Sequence, residues 1–160
     1  MATPSYQLLV VDDSKRDILL LERILRQADD AVFAVTHVES AQAGLDALGE
    51  GEYDLVLLDY YLPDMDGIAF LEEKQSRGSA TPVIMLTAFG QERLPVAAMQ
   101  AGALDYFRKD EVNSGLLGKA IRQAIEKARL QASALADAAR LRELEETVAQ
   151  LQQQLKEQNQ

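Results

Sequence analysis

The sequence has 160 residues, 48% of them hydrophobic, so it is long enough for one hydrophobic core with an appended segment and too short for two full domains. The absence of cysteine excludes disulfides, thiolate metal sites and a cysteine nucleophile, and the single histidine, His37, excludes a multi-histidine metal site. A net charge of −10 disfavours direct nucleic-acid binding, and no apolar run reaches the roughly 20 residues that cross a membrane, so we expect a cytoplasmic protein without membrane contact.

Short apolar runs alternate with amphipathic stretches over residues 5–129, which is the pattern of parallel strands joined by crossover helices. Several runs are continuous in Val, Ile and Leu, as expected for strands that are buried on both faces of a sheet. The five predicted strands are, in chain order, residues 8–11 (LLVV), 32–38 (VFAVTHV), 55–58 (LVLL), 82–87 (PVIMLT) and 104–107 (LDYF).

Four helices are predicted between these strands, and a fifth follows the last one. Each of the four has residues at helical spacing that predict its buried face. These are Ile18, Leu21 and Leu25 with the neighbouring Leu20 and Ile24 in the first helix, Ala43, Ala47 and Leu48 in the second, Ile68, Leu71 and Gln75 in the third, and Val96, Met99 and Gln100 in the fourth.

The fifth helix is predicted to be long, because residues 119–160 contain neither glycine nor proline. Ile121, Ile125 and Ala128 suit packing on the sheet. Further on, a heptad seam consists of Leu141, Leu144, Val148, Leu151 and Leu155. We therefore predict a domain over residues 5–129 and a coiled-coil extension, continuous with helix five, over residues 130–160. The alternative is a solvated helix that folds back on the domain.

Acidic residues follow two of the buried runs: Asp12 and Asp13 come after LLVV, and Asp59 comes after LVLL. If the first and third strands are neighbours, these carboxylates meet at the carboxyl edge of the sheet, where open parallel sheets bind ligands. Their mutual repulsion in a partly desolvated cleft requires a compensating charge. Oxygen ligands without Cys or His clusters favour Mg²⁺, with Mn²⁺ as the alternative.

Two further polar residues lie near the ends of the other strands. Thr87 closes PVIMLT, and Lys109 comes two residues after LDYF. A hydroxyl, an ammonium and a cation around one carboxylate indicate a site for a phosphoryl group. Asp59 is then the nucleophile that forms an acyl phosphate, Lys109 and the metal neutralise phosphoryl oxygens, and Thr87 donates a hydrogen bond.

The motifs VVDDS, LLDYYLPDMDG, MLTA and DYFRKD, in this order, resemble a response-regulator receiver domain, the CheY-like phosphoacceptor of two-component signalling. The resemblance covers about residues 5–129. It implies an α/β fold with a doubly wound, flavodoxin-like, five-stranded parallel sheet of strand order 2-1-3-4-5. It also implies these roles: Asp12 and Asp13 as the acidic pair for the metal, Asp59 as phosphoacceptor, Thr87 as switch hydroxyl, Lys109 as phosphate-binding lysine, the Tyr61 carbonyl as a metal ligand, and Tyr106 as switch aromatic.

Two features modify these expectations. The family usually has a proline after the lysine, commonly in cis, whereas this chain has Asp110, so we expect a trans bond and an altered loop around Lys109. Tyr61 and Phe89 lie two residues after Asp59 and Thr87, where the family controls loss of the phosphoryl group. We expect their bulk to hinder water and to prolong the phosphorylated state.

Most of these residues also have a structural explanation. Asp12, Asp13 or Ser14 could cap the first helix, and Asp59 could open a turn before Pro63. Thr87 and Tyr106 could be ordinary packing residues. His37, in the second strand, is assigned to structure rather than to phosphorylation.

We therefore expect a phosphorylation-dependent signalling switch, not an enzyme in the usual sense. The expected partners are a sensor histidine kinase or phosphotransfer protein and a second copy, in a parallel homodimer formed through helix five and the coiled coil. The last 30 or so residues are too few and too acidic for a helix-turn-helix.

Three alternatives are weighed against this expectation. They are a non-phosphorylated receiver-like dimerisation scaffold, the N-terminal fragment of a larger sensor kinase or cyclase, and an aspartate-nucleophile phosphatase. The phosphatase needs a second carboxylate two residues after its nucleophile, and Tyr61 occupies that position.

Overall fold

The computed structural model describes residues 2–88 and 93–159. Strands and helices alternate along the chain as predicted. In chain order they are β1 (Ser5–Val11), α1 (Lys15–Arg26), β2 (Val32–Val38), α2 (Ala41–Glu50), β3 (Leu55–Asp59), α3 (Gly67–Ser76), β4 (Val83–Thr87), α4 (Leu94–Gln100), β5 (Asp105–Arg108) and α5 (Ser114–Gln158).

All four strand pairings in the described sheet are parallel, and the strand order is β2-β1-β3-β4-β5. This confirms the predicted flavodoxin-like fold. The order reverses between β1 and β3, and this switch point brings the carboxyl ends of these strands side by side, with Val11 opposite Leu58.

The core has two parts, one on each face of the sheet, because successive strand residues point in opposite directions. Leu8 and Val10 of β1 join a cluster with residues of α1 and α5, whereas Leu9 and Val11 join a cluster with residues of α2, α3 and α4. All residues of β3 and β4 are buried, which explains their continuous apolar sequence.

In α1, Ile18, Leu21 and Leu25 are buried as predicted and Ile24 is partly buried, but Leu20 is 50% exposed. The prediction is wrong for α4, because Val96 and Met99 are 59% and 47% exposed and Gln100 is also exposed. Leu94 and Ala98, four residues apart, face the core instead. This helix has only seven residues, too few for periodicity to choose between faces.

The faces of α2 and α3 are shifted from those predicted. Ala41, Gly44 and Leu45 are the buried residues of α2, and Ala43, Ala47 and Leu48 lie beside them, half-buried. In α3, Leu71 is buried as predicted and Ile68 packs against the core partly buried, but Gln75 is exposed, and Phe70 and Lys74 are buried. Glycine is required at position 44, since a β-carbon there would lie 2.8 Å from Cγ2 of Val11.

The chain divides into two compact units, Met1–Glu126 and Lys127–Gln160. In the first unit, α5 buries Leu117, Ile121 and Ile125 against the sheet. In the second unit, the described residues are helical up to Gln158, and the five seam residues are each more than half exposed. Across residues 2–88 and 93–159, no helix has both the length and the hydropathy of a membrane span.

Candidate functional site

Three carboxylates meet at the carboxyl edge of the sheet, as the order of the strands predicts. Asp12 and Asp13 follow β1, and Asp59 is the last residue of β3. One oxygen from each lies within 4.8 Å of the other two. Asp12 and Asp59 are buried, with 4% and 8% of their surface exposed, whereas Asp13 is exposed. The cluster is therefore open to solvent on one side only.

This cluster has the chemistry of a site for a hard divalent cation. Its donors are all carboxylate oxygens, which Mg²⁺ and Mn²⁺ prefer, and the exposed side leaves room for water ligands. A surface cavity of about 360 Å³ is lined by Asp13, Asp59, Tyr61 and Lys109, among others. The backbone N–H of Tyr61 hydrogen-bonds to the Asp59 carboxylate. The donor set therefore fits a divalent cation.

Lys109 reaches into the cluster from the loop after β5. Its Nζ lies 2.6 Å from Oδ2 of Asp12 and 3.5 Å from Oδ2 of Asp59. Its backbone N–H donates to the carbonyl oxygen of Thr87 at 2.9 Å, which ties the loop to the end of β4. The described residues have no cis peptide bond, as expected with Asp110 in place of proline. Lys109 contacts the cluster without that proline.

A fourth carboxylate, that of Asp17, was missed by sequence reasoning. Asp17 lies in the first turn of α1, and its Oδ2 accepts a hydrogen bond from Nζ of Lys109 at 2.9 Å. That hydrogen bond is the main cause that holds the pKa of Asp17 below its ordinary value, against the opposing effect of burial. The only sequence signal is its position five residues after Asp12, on the helix that begins at the cluster.

The pKa of Asp59 is raised from 3.8 to about 7, because burial and the nearby charge of Asp12 raise it by more than Lys109 lowers it. The pKa of Lys109 is affected most by burial, which lowers it, but hydrogen bonds to Asp12 and Asp17 outweigh burial and raise it. Asp59 is therefore difficult to ionise without an added cation.

The two predicted switch residues lie on neighbouring strands. Thr87 is fully buried at the end of β4, and Tyr106 on β5 packs against the core cluster of α2, α3 and α4. The hydroxyl oxygen of Tyr106 is buried and has no hydrogen-bond partner among the described residues. Phe89, the other bulky residue singled out in the sequence, lies outside the described residues.

The structure shows which residue caps α1 and what His37 contacts. Ser14 is the N-cap of α1 and accepts from the backbone N–H of Asp17 at 3.3 Å, so neither Asp12 nor Asp13 has that role. Nε2 of His37 lies 3.0 Å from the backbone oxygen of Asp12. His37 therefore makes a structural contact next to the cluster.

The family model for the response regulator receiver domain matches residues 8–122. The transcriptional regulatory protein FixJ of Bradyrhizobium diazoefficiens is 34% identical over 145 residues, which are 89% of this chain and 69% of FixJ. The transcriptional activator protein PfeR of Pseudomonas aeruginosa is 38% identical over 109 residues, which are 68% of this chain and only 34% of PfeR.

Solved structures are similar over the same region. A response regulator receiver domain protein from Clostridium thermocellum superposes with a TM-score of 0.69 at 28% sequence identity. The match covers 79% of this chain and 98% of that protein.

Proposed function

Because this chain belongs to the response regulator receiver domain family of two-component signalling, we propose that it is a switch that takes up a phosphoryl group on Asp59. Members of this family are signalling proteins rather than enzymes in the usual sense. The observation that carries the proposal is the buried Asp59 carboxylate, grouped with two other carboxylates and 3.5 Å from the Lys109 ammonium.

In the proposed reaction a phosphoryl group moves from a covalent donor to the carboxylate of Asp59. One oxygen of Asp59 forms a bond to phosphorus while the P–N bond of a phosphohistidine, or the P–O bond of acetyl phosphate, breaks. The imidazole or acetate leaves with the electron pair of the broken bond. Lys109 stabilises negative charge on the phosphoryl oxygens, and the Thr87 hydroxyl donates to one of them.

We assign a divalent cation to Asp12, Asp13 and Asp59, with the backbone carbonyl of Tyr61 as a further ligand. When bound, Mg²⁺ supplies positive charge that offsets the repulsion between the carboxylates and the incoming phosphoryl group. The support is the all-oxygen cluster and the raised pKa of Asp59.

A sensor histidine kinase or a phosphotransfer protein is the proposed phosphodonor. Such a donor has to bring its histidine to Asp59, so it needs a docking surface beside the cluster. Leu20 on α1 is half exposed and shares a cavity lining with Asp12, Asp59 and Lys109. This apolar surface next to the acidic site is suited to a protein donor.

We further propose a parallel homodimer through the heptad seam. Leucine at both d positions, Leu144 and Leu151, and the β-branched Val148 at one of the three a positions are features of two-stranded coils, while the other a positions are Leu141 and Leu155. In a parallel, in-register pair, Arg140 at position g lies opposite Glu145 at position e of the second copy, which is an attractive pair. Phosphorylation would then act on the coil through α5. We propose residues 5–129 as the receiver and residues 130–160 as the coil.

Phosphorylation by acetyl phosphate with Mg²⁺, followed by intact-mass spectrometry, tests the proposal. We expect one added phosphoryl group, released by hydroxylamine as acyl phosphates are, and none after EDTA or in the variant Asp59→Asn. The exposed Asp46→Asn is the matched control and should be phosphorylated normally. A folded chain that takes up no phosphoryl group would instead support the dimerisation scaffold.

A further inference from the structure

We infer that Asp17 is a positioning residue that holds the Lys109 ammonium in the phosphoryl site, an inference that rests on the function proposed above. The sequence motifs do not include Asp17. Its carboxylate contacts Lys109 and lies outside the cluster of three carboxylates.

Lys109 is shared by three carboxylates that differ in what else they bind. Its Nζ contacts Asp12 at 2.6 Å, Asp17 at 2.9 Å and Asp59 at 3.5 Å. Asp12 and Asp59 belong to the cluster that fits a cation, so a cation competes with Lys109 for their oxygens. Among the described residues, Asp17 is the one carboxylate in contact with Lys109 that lies outside this cluster.

The backbone around Asp17 fixes its position relative to the site. Its N–H donates to Oγ of Ser14, and the N–H of Ser14 donates to Oδ1 of Asp12 at 2.9 Å. Asp17 is thus tied to the loop that carries Asp12. Lys109 is held from the opposite side by its backbone hydrogen bond to Thr87. The Asp17–Lys109 pair therefore links the β1–α1 loop to the loop after β5.

The physical consequence concerns the orientation of a long, flexible side chain. The Lys109 side chain is only 15% exposed, so its ammonium needs partners inside the site, and its three protons allow it to keep Asp17 while it turns to a phosphoryl oxygen. Asp17 is 32% exposed and is cheaper to keep ionised than the buried Asp59. Without Asp17, the ammonium spends less time aligned with the transferred group, and such misplacement slows a reaction strongly.

A purely structural role has to be separated from this one. An acidic residue in the first turn also interacts favourably with the helix dipole, and loss of that interaction weakens the helix without any effect on Lys109. Asp17→Asn removes the charge that both roles use and Asp17→Glu restores it, so the readouts separate the roles. Loss of the dipole interaction alone lowers stability and leaves the phosphorylation rate and the contact with the Lys109 ammonium unchanged. Glu22→Gln removes an acidic group elsewhere on α1 and is the matched control.

The experiment measures the initial phosphorylation rate against acetyl phosphate concentration at saturating Mg²⁺, with the Mg²⁺ affinity from isothermal titration calorimetry. For Asp17→Asn we expect the saturating rate to fall about tenfold or more, with the Mg²⁺ affinity within about threefold of the unaltered chain. Asp17→Glu should recover most of the rate, and Glu22→Gln should match the unaltered chain. A rate for Asp17→Asn within about twofold of the unaltered chain, or no recovery in Asp17→Glu, would overturn the inference.

A second measurement does not depend on phosphorylation. In the metal-free protein labelled with ¹⁵N-lysine, the Lys109 ammonium should give a protected NMR signal that Asp17→Asn removes and Glu22→Gln keeps. An unchanged signal in Asp17→Asn would contradict the inference. If the unaltered chain takes up no phosphoryl group while the signal behaves as expected, the proposed function fails, but the contact with Asp17 stands.

Discussion

Two opposing requirements act on the Asp59 side chain, which has to be ionised in its proposed role and is nevertheless buried. The proposed role as nucleophile requires an ionised carboxylate, yet burial and Asp12 raise the pKa of Asp59 to about 7. Lys109 offsets this cost only in part, at 3.5 Å and while it shares its protons with Asp12 and Asp17. A bound cation would complete the compensation, so ionisation of Asp59 and metal binding should depend on each other.

The raised pKa of Asp59 predicts how stability depends on pH. Between pH 3.8 and about 7 the folded metal-free chain keeps a proton on Asp59 that the unfolded chain has lost, so stability falls as pH rises through this window. The asparagine of Asp59→Asn does not ionise, so this variant does not lose stability in this way as pH rises. At pH 8 it should be more stable than the unaltered chain by about 1–3 kcal/mol. Thermal or urea unfolding between pH 4 and 8 measures the difference. Equal stabilities at pH 8 would contradict the prediction, and Asp46→Asn is the control.

At this scale, sequence reasoning found residues that motifs mark and missed one that packing alone reveals. Asp12, Asp13 and Asp59 could be predicted because they directly follow buried strands. Asp17 could not, because its role depends on the reach of a side chain 92 positions later in the sequence.

Helix α2 contains two glycines that differ in how much space surrounds them. Helix α2 approaches β1 at Gly44, where any side chain would meet Val11 and, at 3.1 Å, Phe70. Gly49 lies on the same helix and has no atom within 4 Å of the place where a β-carbon would go. A β-carbon would therefore clash with the core at position 44 and would meet no neighbour at position 49.

The two glycines predict opposite effects for the same substitution. Gly44→Ala should lower the free energy of unfolding by about 1–3 kcal/mol, because the added carbon overpacks the core. Gly49→Ala should raise it by about 0.5–1 kcal/mol, because alanine is the better helix former and meets no neighbour. Urea unfolding of both variants measures these changes, and a Gly44→Ala variant as stable as Gly49→Ala would show that the contact is not tight.

The strands could be predicted from the sequence better than the helix faces, and the reason is physical. A strand buried on both sides is recognised from its composition alone, as with β3 and β4. The buried face of a helix depends on its neighbours. In α3, Phe70 is fully buried and Ile68 only partly so, and in α4, Leu94 and Ala98 are buried while Val96 and Met99 are exposed.

At the scale of the whole molecule, the five seam residues of α5 are each more than half exposed. An isolated helix in water gains little from its own hydrogen bonds, so the exposed apolar seam needs burial against another helix. A second copy of the chain supplies a matching seam and an opposite charge at Arg140 and Glu145. We expect the dimer to link phosphorylation to output.

The seam predicts the oligomeric state. Val148→Glu places like charges opposite each other in the centre of a parallel pair and should convert the dimer to monomer at micromolar concentration. Ala149→Glu adds the same charge at the neighbouring position, outside the seam, and should leave the dimer intact. Sedimentation velocity compares the three chains. A monomer for the unaltered chain, with and without a phosphoryl mimic, would contradict the proposed dimer.

The most direct test of the whole account is ¹⁹F NMR of the chain with beryllofluoride, which binds as a phosphoryl mimic to an aspartate beside a divalent cation. We predict bound fluoride signals that appear only when Mg²⁺ is present and that are absent in Asp59→Asn. Bound signals without Mg²⁺, or no bound signal in the folded chain with both present, would contradict the claim that these carboxylates form a metal-dependent phosphoryl site.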